Sequence, residues 1–209
     1  DVDASRIGIA GWSLGGYYAP RAAAFEKRFA LCVAWGANHD WGAVQRRRKE
    51  REGERPVPHY WEHVLWVWGQ PGDENDLDAF LDFADQVTLE GVVEQITVPF
   101  LIAHGANDRQ IPVAMAHRSY EQAVNSPKRE LRVFTPEEGA TEHIGLDHLP
   151  YVSTFIADWI ADTFAPGTVL AFFEAAKFAQ DLGHLGEAAA LGEPPRCAGR
   201  SMRRGNEAV

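Results

Sequence analysis

Cysteine is nearly absent from this chain of 209 residues, which contains only Cys32 and Cys197. Two cysteines cannot build a disulfide framework or a cysteine-rich zinc cluster. Cys32 lies in an apolar run and is typical of a small core residue. The low cysteine content makes a reducing cytoplasm the expected compartment.

Long apolar runs and an excess of positive charge are also missing. No stretch approaches the ~18 consecutive apolar residues of a membrane span, so we expect no membrane partner. Lys and Arg total 20 against 30 Asp and Glu, a formal net charge of −10, which argues against a nucleic-acid partner. The one basic run, residues 46–51, merges with glutamates and is typical of a solvated helix face.

Motifs that bind cofactors or metals are absent as well. The sequence has no G-x-x-x-x-G-K-[ST] phosphate loop, and its first glycine cluster is interrupted by a serine, unlike a dinucleotide fingerprint. The pairs Glu142-His143 and Asp147-His148 lack a third ligand at metal spacing. We therefore expect no cofactor and no metal, and a small molecule as the substrate.

Short apolar runs and helical patterns alternate along the chain. The predicted strands cover residues 6–10, 29–35, 98–104 and 131–134. The predicted helices between and after them cover residues 15–27, 111–124 and 151–164. This alternation predicts an α/β fold, a parallel sheet with flanking helices, in a chain whose hydrophobic content of 45% is that of a globular protein.

One connection is far longer than the ~2–6 residues usual outside the helices of such folds. It separates the second and third predicted strands and is rich in aromatic residues. We predict a helical cap insertion at 38–97, a core at 1–37 and 98–164, and a C-terminal tail at 165–209. The tail is expected to hold a helix at 167–182 and to be disordered after 183.

The sequence Gly11-Trp12-Ser13-Leu14-Gly15 follows a predicted strand and precedes a predicted helix. This is the context that the G-x-S-x-G nucleophile elbow requires. Ser13 is therefore the candidate nucleophile, and the backbone N–H of Leu14 is a candidate oxyanion donor. The flanking glycines are expected to let strand and helix approach closely.

A serine nucleophile needs a base, and the base needs an acid that orients it. In hydrolases with a nucleophile elbow, the three residues follow along the chain in the order Ser, acid, His. Asp108 comes directly after the third predicted strand, although a turn or helix-capping aspartate is the alternative. His143 lies in the loop after the last strand, and we favour it over its rival His148, because His143 is nearer the strand end and His148 lies against the start of the predicted helix. We expect the remaining histidines, His104 among them, to be structural or surface residues.

Tryptophans are the candidate substrate-binding residues. Trp12 lies inside the elbow, and Trp61, Trp66 and Trp68 lie in the predicted cap. With this spacing the three cap rings cannot all lie on one face of a helix. We therefore expect some of them to face the pocket and others the core of the cap. For any single ring, the core of the cap remains the alternative.

Several stretches together resemble one α/β-hydrolase group. They are AGWSLGGYYAPRAAAFEKRF, CVAWGA, TLEGVVEQITVPFLIAHGANDRQIP, YEQAVNSPKRELRVF and GATEHIGLDH. The group contains 2,6-dihydropseudooxynicotine hydrolase and the fungal polyketide-shortening (heptaketide) hydrolases, and the resemblance covers roughly residues 1–164. It implies a triad of Ser13, Asp108 and His143, a helical cap, and a homodimer as the expected assembly.

The resemblance also implies an activity, because members of the group hydrolyse carbon–carbon bonds next to ketones in β-dicarbonyl compounds. A carboxylesterase or lactonase of the same fold is the first alternative. A hydrolase fold used only for binding is the second, and the complete set of triad residues argues against it.

The sheet of the group begins before the elbow strand, and those earlier strands are missing here. The chain also starts directly at a strand without an initiator Met. We therefore expect it to be part of a longer protein, with the second oxyanion donor upstream of Asp1.

Overall fold

The structure is a computed structural model that describes residues 2–51, 53, 57–70 and 77–164. The tail predicted at 165–209, with its helix at 167–182, lies outside the described residues.

Four strands form one parallel sheet in the order β1-β2-β3-β4. They are β1 Gly8–Trp12, β2 Leu31–Trp35, β3 Phe100–Gly105 and β4 Arg129–Phe134. β2 and β3 are buried along almost their whole length, as strands covered on both faces must be. Since all four strands are parallel, their carboxyl ends meet at one edge of the sheet, where ligands bind in open α/β folds.

β1 differs from the strand predicted at residues 6–10. It starts two residues later than predicted, because Ala4–Arg6 forms a short 3-10 helix. Asp3 stabilises this helix by accepting a hydrogen bond from the Ser5 N–H at 3.0 Å. The residues of β1 are exposed or only partly buried, because β1 pairs with β2 on one side and no other described strand runs along its second side.

Three helices pack against the sheet: α1 Gly15–Phe25, α5 Val113–Gln122 and α6 Leu149–Thr163. α1 contacts β1 and β2, and α5 contacts β3 and β4. α1 and α5 end two residues before their predicted ends, where the backbone leaves helical geometry at Glu26 and Ala123. None of the described helices is long and apolar enough to cross a membrane.

Three further helices lie between β2 and β3 and are called here the helical insertion. They are α2 Trp41–Glu50, α3 Tyr60–Trp68 and α4 Asp78–Ala84. The ring of Trp41 packs on Trp68 with centroids 4.7 Å apart and on Phe80 at 5.8 Å. The aromatic residues of the insertion thus largely form its own core, which is the alternative that the sequence left open.

The elbow between β1 and α1 depends on two glycines. A Cβ on Gly11 would lie 2.2 Å from the carbonyl oxygen of Gly15, and a Cβ on Gly16 would lie 2.2 Å from that of Gly36. A Cβ on Gly15 would have nothing within 4 Å. The expectation that Gly15 permits the close approach is therefore corrected: the steric requirement falls on Gly11 and Gly16.

Candidate active site

Ser13 occupies the turn between β1 and α1 in a strained backbone conformation. Its φ of 55° lies in the left-handed region that non-glycine residues rarely adopt. The turn is fixed by a hydrogen bond from the Ser13 N–H to the carbonyl of Trp35, at 2.8 Å. Two residues later α1 begins, so the serine lies at the positive end of the helix dipole.

His143 and Asp108 form a continuous hydrogen-bonded chain with this serine. The distance from Ser13 Oγ to His143 Nε2 is 2.8 Å, and that from His143 Nδ1 to Asp108 Oδ2 is also 2.8 Å. The three residues come from loops after β1, β3 and β4, up to 130 positions apart. The structure thus brings together the three residues that the sequence predicts as a triad.

Asp108 is held rigidly in the turn after β3. Its Oδ1 accepts hydrogen bonds from the backbone N–H groups of Gln110 at 2.8 Å and Ile111 at 2.9 Å, which leaves Oδ2 for His143. Burial raises the pKa of the Asp108 carboxyl, but the interactions with His143 and the hydrogen bond from the Ile111 N–H lower it, and the pKa lies below its ordinary value. Asp108 is therefore ionised near neutral pH.

The ionised Asp108 determines which nitrogen of His143 carries the proton. A carboxylate only accepts hydrogen bonds, so Nδ1 must donate to it. In the neutral imidazole Nε2 is then left as an acceptor, and the Ser13 hydroxyl donates to it. This is the arrangement in which a histidine can remove the proton of a serine.

The loop that carries His143 is tied down on both sides. Asp147 accepts backbone hydrogen bonds from Thr141 at 2.9 Å and Glu142 at 3.0 Å. The Trp35 indole N–H donates to the carbonyl of Ile144 at 2.7 Å. Ile144, with a φ of 52°, is held in the left-handed region directly after the histidine.

His104 is buried behind the triad. Its Nδ1 accepts the N–H of Ala37 at 3.1 Å, so Nε2 carries the proton and donates to the carbonyl of Ile111 at 2.9 Å. Burial lowers the pKa of His104, which keeps it neutral. His104 therefore joins the end of β2 to the turn that holds Asp108, in agreement with its expected structural role.

Leu14 follows the serine directly and precedes α1. Its backbone N–H donates to no carbonyl or side chain within the described part of the chain. The group is therefore available to a ligand beside Ser13, as the elbow motif predicts.

A cavity of about 240 Å³ opens beside Ser13 and His143, under the helical insertion. Its wall is mainly aromatic and aliphatic and includes Trp41, Tyr60, Val64, Val67 and Trp68. Asn38 adds a polar group: the residue is 2% exposed, and its Oδ1 has no hydrogen-bond partner among the described residues. We call this space the aromatic cavity.

Only one of the four predicted substrate-binding tryptophans, Trp68, lines the aromatic cavity. Trp66 is 79% exposed, because two residues rotate a helix by about 200° and carry it to the opposite face of α3. Trp61 is buried in the core of the insertion, 6.3 Å from Phe80. These predictions are corrected: neither Trp61 nor Trp66 lines the cavity.

Trp12 also lies outside the aromatic cavity. Its ring packs edge-on against Trp35 with the centroids 5.8 Å apart. Trp35 in turn holds the loop of His143, so Trp12 supports the site from behind instead of facing it. The substrate-binding prediction for Trp12 is corrected in the same way.

His148, the rival of His143, is exposed and lies away from the serine. Its ring stacks on Tyr151 with centroids 5.3 Å apart. The sequence favours His143 because it lies nearer the end of the last strand, and of the two histidines the structure places only His143 within hydrogen-bonding distance of Ser13. Among the described residues, no group of three or more His, Cys, Asp or Glu side chains is arranged to hold a metal ion.

Similar proteins share this architecture. The chain is 29% identical over 168 residues to 2,6-dihydropseudooxynicotine hydrolase of Paenarthrobacter nicotinovorans, covering 79% of this chain and 40% of that protein. It superimposes on the crystal structure of a 2,6-dihydroxy-pseudo-oxynicotine hydrolase with a TM-score of 0.54 and 24% identity, covering 81% of this chain and 43% of the other. A puromycin hydrolase gives a TM-score of 0.56 at 18% identity, over 81% of this chain and 24% of that one.

The chain thus spans about two fifths of the length of the first two relatives. The structural similarities confirm the predicted α/β-hydrolase fold. The model of the prolyl oligopeptidase family matches residues 1–166, which is most of the chain. The chain therefore belongs to the prolyl oligopeptidase family, within the α/β-hydrolases.

Proposed function

We propose that the protein is a serine hydrolase that works through an acyl-enzyme, with Ser13 as nucleophile, His143 as base and Asp108 as the orienting acid. The observation that carries the proposal is the chain of two hydrogen bonds of 2.8 Å from Ser13 through His143 to the buried Asp108. The strained turn holds Ser13 at the wall of the neighbouring cavity, which supplies the space that an acyl transfer needs.

The proposed reaction follows from the protonation states. His143 Nε2 takes the proton of the Ser13 hydroxyl as Oγ attacks a carbonyl carbon, and the imidazolium is stabilised by the Asp108 carboxylate. The Leu14 N–H donates to the oxyanion that forms. His143 then gives the proton to the leaving group, and water releases the acyl group from Ser13 by the same steps in reverse order.

The first substrate class we propose is a ketone with a second carbonyl two carbons away, such as a β-dicarbonyl or polyketide-like compound. The leaving group in that reaction is an enolate, which His143 protonates on carbon. The similarity to 2,6-dihydropseudooxynicotine hydrolase supports this class, as do the resemblances in the loops of Asp108 and His143. Ester or lactone hydrolysis is the alternative, because the triad serves an alkoxide leaving group equally well.

Two measurements test the proposal, the first its serine-hydrolase mechanism and the second its substrate class. A fluorophosphonate probe should label the protein at Ser13, and an unlabelled protein would contradict the serine-hydrolase mechanism. Initial rates on a 1,3-diketone and on a simple aryl ester should then differ, with the diketone preferred. A strong preference for the ester would leave the triad in place and exclude carbon–carbon cleavage as the main activity.

Asp108→Asn should reduce kcat about 10⁴-fold, as the loss of the orienting carboxylate does in a serine triad. The amide can donate to Nδ1, which favours the tautomer in which Nε2 carries the proton and can no longer accept it from Ser13. Steady-state kinetics on an ester that the wild type hydrolyses would measure the effect. Asp158→Asn, at an exposed position of α6, is the control that should retain full activity, and a mild effect of Asp108→Asn would remove this residue from the mechanism.

Trp68→Ala should weaken binding of substrates with an aromatic group, because Trp68 lines the aromatic cavity. We expect KM to rise about tenfold for a phenyl-substituted ester, which corresponds to about 1.4 kcal/mol, and to change less for a small aliphatic ester. Trp66→Ala is a matched control on the same helix, since Trp66 is exposed. Equal changes in KM for both esters would show that Trp68 is only part of the core of the insertion.

A further inference from the structure

A second cavity, of about 270 Å³, adjoins the aromatic cavity and is rich in arginine. Both cavities are lined by Arg48 and His143, so the two spaces meet beside the proposed base. We call the second space the arginine cavity. Its charged lining residues, among those that the structure describes, are Arg47, Arg48, Arg51, Arg109 and Glu142.

The lining of the arginine cavity is positive, although the chain as a whole carries a formal net charge of −10. Its one described carboxylate, Glu142, is bound to the Arg109 guanidinium at 2.9 Å. Arg47 and Arg48 form no ion pair with any carboxylate of the described residues. Among the described residues, Glu142 is therefore engaged by Arg109, and no carboxylate balances the charges of Arg47 and Arg48 beside His143.

The side chain of Arg48 is preorganised for ligand binding. Its guanidinium lies over the Tyr60 ring, 4.1 Å from the centroid, and one Nη donates to Gln110 Oε1 at 3.1 Å. Its Nε is shielded from solvent and has no hydrogen-bond partner in the described residues. A guanidinium stacked on an aromatic ring keeps its edge free for planar contact with a carboxylate, and little side-chain entropy is lost on binding.

We propose that the substrate carries a carboxylate, which Arg48 and Arg47 bind in the arginine cavity while the reacting carbonyl lies at Ser13. The apolar part of the same substrate occupies the aromatic cavity on the other side of His143. This inference rests on the proposed serine-hydrolase function and adds the substrate class. The basic run at 46–51, which the sequence favours as a solvated helix face, thereby acquires a binding role.

A matched pair of substrates tests the inference. The mono-4-nitrophenyl ester of glutaric acid carries a free carboxylate, and the same compound with that carboxyl capped as its methyl ester carries none. We expect the wild type to prefer the free acid in kcat/KM. In the Arg47→Gln/Arg48→Gln variant the ratio of kcat/KM, acid over methyl ester, should fall about 10- to 100-fold, the size expected for lost hydrogen bonds to a charged group.

Because the ratio compares two substrates of the same variant, a general loss of activity does not change it. The single variant Arg47→Gln keeps the stacking of Arg48 on Tyr60 intact. Arg28→Gln removes an exposed arginine that precedes the amino end of β2, whereas the triad follows the carboxyl ends of the strands, and should leave the ratio as in the wild type. A wild-type ratio near one, or a ratio unchanged in the double variant, would overturn the inference while ester turnover upholds the proposed function. Absence of both turnover and fluorophosphonate labelling would overturn the proposed function, and the inference with it.

Discussion

Replacing Ser13 with alanine should reduce kcat by about 10⁴- to 10⁶-fold, the range found when the nucleophile of a serine triad is removed. No other hydroxyl lies on His143 Nε2 in the described structure, so no second nucleophile can take over the proton transfer. The proposed oxyanion donor and the cavities remain, which leaves a small residual rate above that of the uncatalysed reaction in water. Hydrolysis of an activated aryl ester and labelling by a fluorophosphonate both measure this loss.

The same variant should fold normally. Alanine keeps the Cβ and the backbone strain at φ 55°, and the one hydrogen bond lost with Oγ is worth about 1 kcal/mol. The thermal midpoint should therefore move by only about 2–4 °C. Ser153→Ala, on α6, is the matched control for removal of a hydroxyl. Ser13→Ala activity within tenfold of the wild type would contradict the assignment of the nucleophile.

The elbow was predictable because its signal is local. A strand, a tight turn with a serine and a helix start follow each other within a few residues, so the sequence pattern and the structure coincide at Ser13. The positions of Asp108 and His143 beside Ser13 were predictable from chain order and from the position of loops after strands. Even so, which of His143 and His148 faces the serine depends on where the chain reverses direction within the loop. That reversal places Ile144, directly after His143, in the left-handed backbone region.

The surroundings of the triad were not predictable, because they depend on contacts between distant segments. The indole of Trp35 reaches Ile144 across 109 residues, and no spacing in the sequence signals that contact. The motif likewise marks Gly15, whereas the close approach to Gly36 is made by Gly16. Arg48 belongs to a run that is typical of a solvated surface, and only the packing of α2 against Tyr60 and Gln110 brings it to the cavity.

The same limit of prediction from sequence applies to the aromatic residues of the helical insertion. Periodicity shows that Trp61, Trp66 and Trp68 cannot share one helix face, but it does not say which face meets the serine. That depends on how α3 packs against Trp41 and Phe80, which are residues of two other helices. The closeness of an aromatic residue to a site along the sequence is therefore weak evidence that its ring contacts the substrate.

Replacing His143 with alanine should cost about 10⁶-fold in kcat, as loss of the base does in a serine triad. Replacing His148 should change kcat by less than about threefold, since surface substitutions alter free energies by about 0.5 kcal/mol. The reason is geometric: His143 links Ser13 to Asp108, whereas the His148 ring stacks on Tyr151 and is exposed. The same aryl ester assay measures both variants.

The comparison also separates chemistry from loop stability, because both histidines belong to one loop that Asp147 fastens through the backbone N–H groups of Thr141 and Glu142. Loosening of the loop would lower activity in both variants and would lower their thermal midpoints. Loss of the base alone lowers activity only in His143→Ala, and added imidazole should restore part of it, since a free base can enter the vacated space beside Ser13. An inactive His148→Ala together with an active His143→Ala would transfer the role of base to His148, and this requires a loop in which the bonds of Asp147 are broken.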